Sequence, residues 1–415
     1  MADKNQGESP TEHVLLRVLG LPILILYGVG VTVGAGIFVL IGNVVEVAGS
    51  RAPIAFILAA IVAGITAVSY ATLSRGFPQA AGASLYAKVA FGRGPGMIVG
   101  LGVALTAIIS SATIVLGFAG YVIELINLPT PIIILLSVGA IGILVQRGVK
   151  ESVGVAAVLT LVEIGILLAV ITVGVPTLTS IKPWAEAFSL SGELPIGGIV
   201  SAAILAFFAF IGFEDLVNMS EEALAPEHTM GKAILGTLLI TTAVYILLAV
   251  IAVGVPDRDG LIQSTAPVAA IWTQLTGFSS SWLTSMALIA VINGVIVQIV
   301  MASRLLYGMA RAGMMPTPLA KIGSRHTPVT ATWFIVAVVV VLALVFPIGT
   351  LARATTTVTL LVFAAVNLSL IVIGNRQGSG PIHARRWVGV VGFCLTFGLA
   401  LNELVSLSKF WGGEG

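Results

Sequence analysis

The sequence predicts an all-α polytopic membrane protein of about eleven spans: two groups of five helices inserted in opposite senses, and one further C-terminal span. Three observations lead there. Hydrophobic residues make up 58% of the 415-residue chain and charged residues only 9%, whereas soluble globular proteins carry about 25% charged residues. Apolar segments of spanning length recur at roughly 21–45, 53–73, 96–123, 131–146, 153–175, 196–219, 233–255, 282–307, 329–346, 352–374 and 388–406, which matches the ~20 residues that cross a bilayer as a helix. The first and sixth segments each carry a glycine-marked interruption near mid-depth. All are rich in Leu, Ile, Val and Ala without strict alternation, so helices are expected rather than a barrel.

Lys and Arg set the orientation. With the N-terminus inside, fifteen of the twenty basic residues fall in inner segments, among them Lys4, Arg75, Lys150, Arg304, Arg311, Lys321 and Arg325; the outer five are Arg51, Lys182, Arg258, Arg353 and Lys409. That asymmetry predicts a cytoplasmic N-terminus and, with an odd number of spans, an external C-terminus. Residues 1–13 are polar and mixed in charge and lack a signal-peptide pattern, so the first apolar segment reads as a retained span. The expected organisation is a cytoplasmic segment 1–20, a first five-helix repeat 21–175, a second 196–374, and an eleventh span with a short tail, 375–415. The net charge of +2 says little about a membrane chain. The single cysteine, Cys394, leaves no intrachain disulfide and no Cys metal site. Residues 74–95 are expected to hold a short interfacial helix on the inner side, and Ala266–Leu275 a surface helix with Pro267 in its first turn. No separate soluble domain is visible, and no nucleic-acid partner, metal or cofactor is expected.

Residues 28–36 of the first span read Gly-Val-Gly-Val-Thr-Val-Gly-Ala-Gly, too much glycine and β-branching for a continuous helix interior. A break at depth exposes backbone N–H and C=O groups, which lipid tolerates only beside protein or a cavity. The stretch Val33-Gly34-Ala35-Gly36-Ile37-Phe38 is therefore either half of a binding site or a small-residue packing surface. In the sixth span, Phe208-Ala209-Phe210-Ile211-Gly212-Phe213-Glu214-Asp215 places two acids in an apolar run. Such charges cost about 2.5–3.5 kcal/mol each on insertion scales, and they face a cavity or polar partner or snorkel to the inner interface. Interruptions in the first member of each of two five-span groups point to an inverted-repeat transporter. At such breaks, N–H groups and the positive helix end attract a carboxylate, and free carbonyls attract an ammonium. An α-amino acid carries both. Phe207, Phe208 and Phe210 either line such a site or pack against helices and lipid.

Glu163 lies about eleven residues from either end of the fifth span, or ~16 Å at 1.5 Å per residue, near mid-bilayer. No residue of opposite charge sits within a turn of it. A proton-coupling group, a structural hydrogen bonder, a sodium ligand and a partner for a cationic substrate all fit a lone carboxyl there. An intramembrane enzyme is excluded by its requirements. No histidine falls in a span, and His13, His228, His326 and His383 sit in inner loops without metal-ligand spacing. A channel would need a filter repeated around an axis.

Several stretches together resemble the amino acid–polyamine–organocation superfamily, and within it the bacterial amino acid permeases. They are Gly34-Ala35-Gly36-Ile37-Phe38; Phe77-Pro78 with Gly82-Ala83 and Tyr86; Phe208 to Glu214; Glu221-Glu222 with Pro226 and Ala233-Ile234; Ala302 to Gly313 with Pro316; and Thr327-Pro328-Val329. The likeness covers roughly residues 15–375. It implies the leucine-transporter-type fold of two inverted five-helix repeats, with a substrate α-carboxylate on the Gly34–Ile37 break and an amine on carbonyls around Phe210 to Gly212. It also implies an aromatic outer gate at Phe208. The candidate substrate-binding residues are thus Val33, Gly34, Ala35, Gly36, Ile37, Phe208, Phe210, Ile211, Gly212 and Phe213. Where proton-dependent members of the family carry a lysine, this chain has Glu163, which reverses the charge. Ala312, Gly231 and Ser84 also depart from the family's usual aspartate, proline and tyrosine. Arg304, Arg311 and Lys321 either anchor the inner end or form an inner gate with Glu221 or Glu222.

The expectation is a secondary transporter of the bacterial inner membrane that imports amino acids by alternating access, coupled to protons through Glu163. An amino acid exchanger and a sodium-coupled or polyamine transporter are the alternatives. The amino acid and the oligomeric state are left open.

Overall fold

The protein is described by a computed structural model covering residues 17–77, 82–147, 153–188, 196–220, 222–311, 313, 315–323 and 327–411, without the side chains of 153–157 and 407–411. Of the residues singled out above, Lys4, His13, Pro78, Lys150, Glu221, Ala312, Arg325 and His326 lie outside that set.

The chain is nearly all helical. Its principal helices are α1 (Leu21–Ala48), α2 (Ala52–Gly76), α3 (Arg93–Ile123), α4 (Thr130–Gln146), α5 (Val153–Val173), α6 (Ile196–Phe208), α7 (Pro226–Val253), α8 (Ser281–Arg311), α9 (Val329–Val345), α10 (Ile348–Gln377) and α11 (Arg386–Trp411). Prolines mark several starts. Pro22, Pro53, Pro131 and Pro226 each sit in a first turn, where the missing N–H has no intrahelical partner to lose. Among the described residues, seven stretches are long and apolar enough to cross a membrane, one of them (Leu21–Gly76) containing both α1 and α2, and three shorter apolar helices accompany them. The connection after α2 carries a helix over Gly82–Phe91, and that before α8 one over Pro267–Thr276 with Pro267 in its first turn. The latter is no free surface helix: Pro267, Val268, Ala269 and Ile271 are buried, and it packs on α1.

The core sits around α1, whose residues Val33 and Ala35 to Val45 are buried almost without interruption. α1 packs against α5, α6, α7 and α8, and α6 against α1, α2 and α10. α3 lies on α8 and α10, α2 on α7, and α4 on α9. Side-chain hydrogen bonds tie distant helices inside the apolar bundle, where their alternative is an unpaired polar group. Ser69 of α2 donates to Asn367 Oδ1 of α10 at 2.6 Å, and Asn367 Nδ2 donates to Thr66 at 3.1 Å. Thr356 of α10 donates to Ile204 O of α6 at 3.0 Å. Arg353 of α10 pairs with Glu403 of α11 at 3.0 Å and also donates to Ser201 of α6, so the ion pair fastens the last helix to α10, and the same arginine ties α10 to α6.

Candidate functional site: two facing helix breaks

α1 leaves helical geometry at one residue, Gly34 (φ −10°, ψ −145°). A break there releases the carbonyls of the preceding turn and the N–H groups of the following one from the i→i−4 ladder. α6 ends at Phe208. The next three N–H groups reach back only three residues: Ala209 to Ala206 O (3.1 Å), Phe210 to Phe207 O (2.9 Å) and Ile211 to Phe208 O (3.2 Å). Gly212 then turns the chain with φ +127°, a region that L side chains avoid, and a 3₁₀ helix runs over Phe213–Met219. The Gly212 N–H donates to Glu214 Oε2 at 2.8 Å, so this acid caps the second half-helix at its positive end. Asp215 shares the first turn.

The two breaks touch. A Cβ on Gly36 would stand 2.7 Å from Ala209 Cα, and one on Gly212 would stand 2.7 Å from the Val31 carbonyl oxygen. Glycine at these two positions is what lets the backbones approach. A Cβ on Gly34 meets nothing within 4 Å, because Gly34 borders a cavity.

That cavity has a volume of about 80 Å³, several times the ~10–15 Å³ that one water occupies. Its wall is backbone-rich along α1 (Gly30 to Thr32, Gly34 to Gly36). Phe208 and Ile211 of the second break close one side, and Ser110 of α3, Thr160 and Glu163 of α5, and Asn293 and Gln298 of α8 supply polar groups. Glu163 is 1% exposed. Its Oε2, Ser110 Oγ and Gln298 Oε1 are buried without a hydrogen-bond partner among the described residues, and all three belong to this one cavity. Buried polar atoms are ordinarily satisfied, so these three give the cavity unmet hydrogen-bonding capacity. A second cavity of about 530 Å³ shares Tyr27 and Val297 with the first and is lined by Tyr70, Gly82 to Ser84, Glu214, Asp215, Asn218 and Arg304.

Of the expected substrate-binding residues, Gly34, Ala35, Gly36, Phe208 and Ile211 border the first cavity. Val33 and Ile37 face away into the core. Phe210 packs edge-on against Tyr245 with ring centroids 5.1 Å apart, and Phe213 packs against Tyr70 and Phe363. Gly212 contributes close approach to α1 rather than a wall. Glu214 and Asp215 are intermediate in exposure and line the second cavity. Of the expected gate, Arg304 is exposed on that second cavity and forms no ion pair among the described residues. The Glu222 backbone carbonyl instead accepts from Val18 and Leu19 N–H at 2.9 and 3.0 Å.

Sequence reasoning missed Ser110, Asn293, Gln298 and Tyr245. Their signal is faint: polar side chains within apolar runs, as are many Ser and Thr that merely bond back to their own helix. Tyr245 is the most informative. It is fully buried, its ring is held by Phe56 and Phe210, and its hydroxyl reaches Ala209 O at 2.8 Å and Thr32 O at 3.0 Å, one carbonyl from each break.

A multi-pass helical bundle with two facing helix breaks beside a small polar cavity has the construction of a membrane carrier. Comparison with known proteins gives the family. The sequence profile of amino acid permeases matches residues 19–409. The chain belongs to this family, within the amino acid–polyamine–organocation superfamily. It is 30% identical to the branched-chain amino acid permease BcaP of Lactococcus lactis subsp. cremoris, over 87% of this chain and 83% of that one. It is 29% identical to the methylthioribose transporter of Bacillus subtilis, over 95% and 90%, and 29% identical to the vacuolar cationic amino acid transporter 4 of Arabidopsis thaliana, over 89% and 64%.

Proposed function

We propose that the chain is a secondary amino acid transporter with about eleven crossings, which binds a zwitterion between the two breaks and moves it by alternating access, driven by protons through Glu163. The observation that carries this reading is the single cavity in which the Gly34–Gly36 backbone, the Phe208–Ile211 turn and the Glu163 carboxyl meet, the Oε2 of that carboxyl having no hydrogen-bond partner among the described residues. The α-carboxylate lies at the N–H groups that follow Gly34, and the amine lies among carbonyls of the two breaks. Phe208 shuts the cavity from outside. The second cavity, with Arg304 and the Gly82–Ser84 segment, is the inner exit, and its size of about 530 Å³ supports an inward-facing conformer.

The reading includes two inverted repeats, 21–175 and 196–374, and the packing supports an internal repeat. The main contacts keep their pattern when each helix is exchanged for the one five further on: α1 on α7 becomes α6 on α2, α1 on α5 becomes α6 on α10, and α8 on α5 becomes α3 on α10, while α1–α6, α2–α7, α3–α8 and α4–α9 map onto themselves. The membrane is the bacterial inner membrane, with the N-terminus inside.

Among the described residues, Glu163 is the only acid on the cavity wall. Carrying the proton inward with the substrate requires a group that reaches the cavity and changes charge state there. The test is uptake into proteoliposomes under an imposed pH gradient, acid outside. Wild type accumulates substrate; Glu163→Gln, which has no titratable group, loses accumulation while retaining exchange of internal for external substrate. Accumulation by the Gln variant equal to the parent overturns the coupling role. Gradient-independent one-for-one exchange by wild type assigns the chain to the exchangers instead.

A further inference from the structure

The end of the bundle at which α2 and α10 finish and α11 begins carries a group of cations that the transport reading leaves without a task. After α10, Gly378 and Gly380, both with positive φ, turn the chain back through Pro381–Ala384 into α11. That turn lies directly on the helix ends. A Cβ on Gly76 would meet Ile382 Cδ1 at 2.8 Å, and one on Gly374 would meet Arg386 Cβ at 3.4 Å. Arg385 donates to Thr72 Oγ1 of α2 at 3.3 Å, one turn before Arg75. His383 donates from Nδ1 to Gly374 O at 2.9 Å, which leaves its Nε2 to accept from Arg386 at 2.7 Å. Arg376 donates to Val89 O of the Gly82–Phe91 helix at 3.2 Å. These contacts are with uncharged groups. None of Arg75, Arg376, Arg385 and Arg386 forms an ion pair among the described residues. The chain supplies no acid nearby: residues 47–123 and 260–402, which build this corner, contain no Asp or Glu. Glu227 lies a turn before Gly231, where α7 meets Arg75, and forms no ion pair with it. Four like charges gathered at one corner call for an external anion. Beside them α11 turns an apolar face outward. Trp387, Val391, Cys394 and Leu401 recur at helical spacing and are exposed, Trp387 by 64%.

We propose that this corner binds an anionic phospholipid, its phosphate held by Arg385 and Arg386 with Arg75 and Arg376 flanking, and its acyl chains lying along the exposed face of α11. A phospholipid matches both parts: basic pockets between helix ends take anionic headgroups, and a tryptophan at that level suits the membrane interface. In the orientation proposed above, the lipid belongs to the inner leaflet. The contacts to Thr72, Gly374 and Val89 tie the arginines to α2, α10 and the Gly82–Phe91 helix, so one bound headgroup bridges all of them. It fastens the start of α11 as the Arg353–Glu403 pair fastens its far end.

The experiment is native mass spectrometry and thermal unfolding of the purified full chain in detergent, supplied with phosphatidylglycerol or with phosphatidylcholine of the same acyl chains. Wild type is expected to retain phosphatidylglycerol under activation that strips phosphatidylcholine. It is also expected to unfold several degrees higher with phosphatidylglycerol, a difference that shrinks in high salt. The double variant Arg385→Gln/Arg386→Gln is expected to bind phosphatidylglycerol at least roughly tenfold more weakly and to lose the thermal difference. Arg147→Gln removes an exposed cation at the end of α4, which packs on α9 instead, and is expected to behave as wild type. An equal loss in Arg147→Gln would mean general attraction of a basic face to anionic lipid, and overturns the site. Equal retention of the two lipids by wild type overturns it without any variant, so the proposal stays open to refutation even if the double variant does not fold. Glycerol 3-phosphate is the soluble arm: stabilisation equal to that by phosphatidylglycerol would assign a free phosphate ligand and overturn the lipid. A lipid-free dimer formed in the presence of phosphatidylglycerol would give the surface to a second copy, and counts equally against the proposal. None of these readouts depends on transport.

Discussion

Glycine acts here through absence of a side chain, and two positions show it with different consequences. Gly36 and Gly212 abut the opposite break at distances a methyl group cannot share. Gly36→Ala must push Ala209 away or tilt α1, and overpacking of this kind costs about 1–3 kcal/mol. The expected outcome is an inserted, monodisperse protein whose ligand-induced thermal stabilisation is lost or falls at least roughly tenfold in apparent affinity. Parent-like stabilisation would show that the contact between the breaks is not part of the site. The sequence marked both glycines as unusual, but it offered packing and binding as equal readings of the first. In the structure Gly36 borders the cavity and also sets the separation of the two backbones.

The sixth span illustrates how one element reconciles conflicting signals. Glu214 and Asp215 in an apolar run suggested either a cavity or snorkelling. The chain stops being α-helical at Phe208, and Glu214 turns back to accept the Gly212 N–H, so the acid answers a need created by the break beside it. Glu214→Ala is expected to lose about 0.5–2 kcal/mol of stability, the usual worth of an N-terminal cap, and to weaken substrate binding because the turn at Gly212 loosens. Glu214→Gln keeps an acceptor oxygen and is expected to retain most of both. Equal thermal midpoints for the Ala variant and the parent would remove the capping role. The first span needs no such acid, since its break is a single residue at Gly34 with helix resuming at once.

For the molecule as a whole, the eleventh helix is held by more than apolar contact. Glu403 is almost fully buried and its partner Arg353 largely so, the side chains being 3% and 24% exposed. Arg353 also reaches Ser201, so α6, α10 and α11 share one buried charge pair. Removing one partner leaves an uncompensated charge, at a cost of about 3–5 kcal/mol. Glu403→Ala is therefore expected to lower the unfolding midpoint markedly, and the double variant with Arg353→Ala to recover much of the loss. A double variant no better than additive would show the two side chains to be independent. By contrast, Arg304 stands exposed beside the larger cavity without an ion pair among the described residues.

The one-dimensional pattern sufficed for the class of molecule and the place of its centre. Apolar run lengths and the distribution of Lys and Arg are dictated locally by the bilayer, and a glycine-rich interruption in an apolar run is legible because lipid forbids unpaired backbone. Glu163 stood out for the same reason: an acid at mid-depth is costly wherever the fold puts it. The partners in the site were decided only by tertiary packing. Nothing near Tyr245 in the chain announces that its hydroxyl meets Thr32 and Ala209, 213 and 36 residues away, or that Ser110 and Gln298 share a cavity with Glu163. Val33, Ile37 and Phe213, adjacent in sequence to residues that border the cavities, point into the core instead. Helix periodicity turns neighbours to different faces, and which face meets a break is set by how the helices cross.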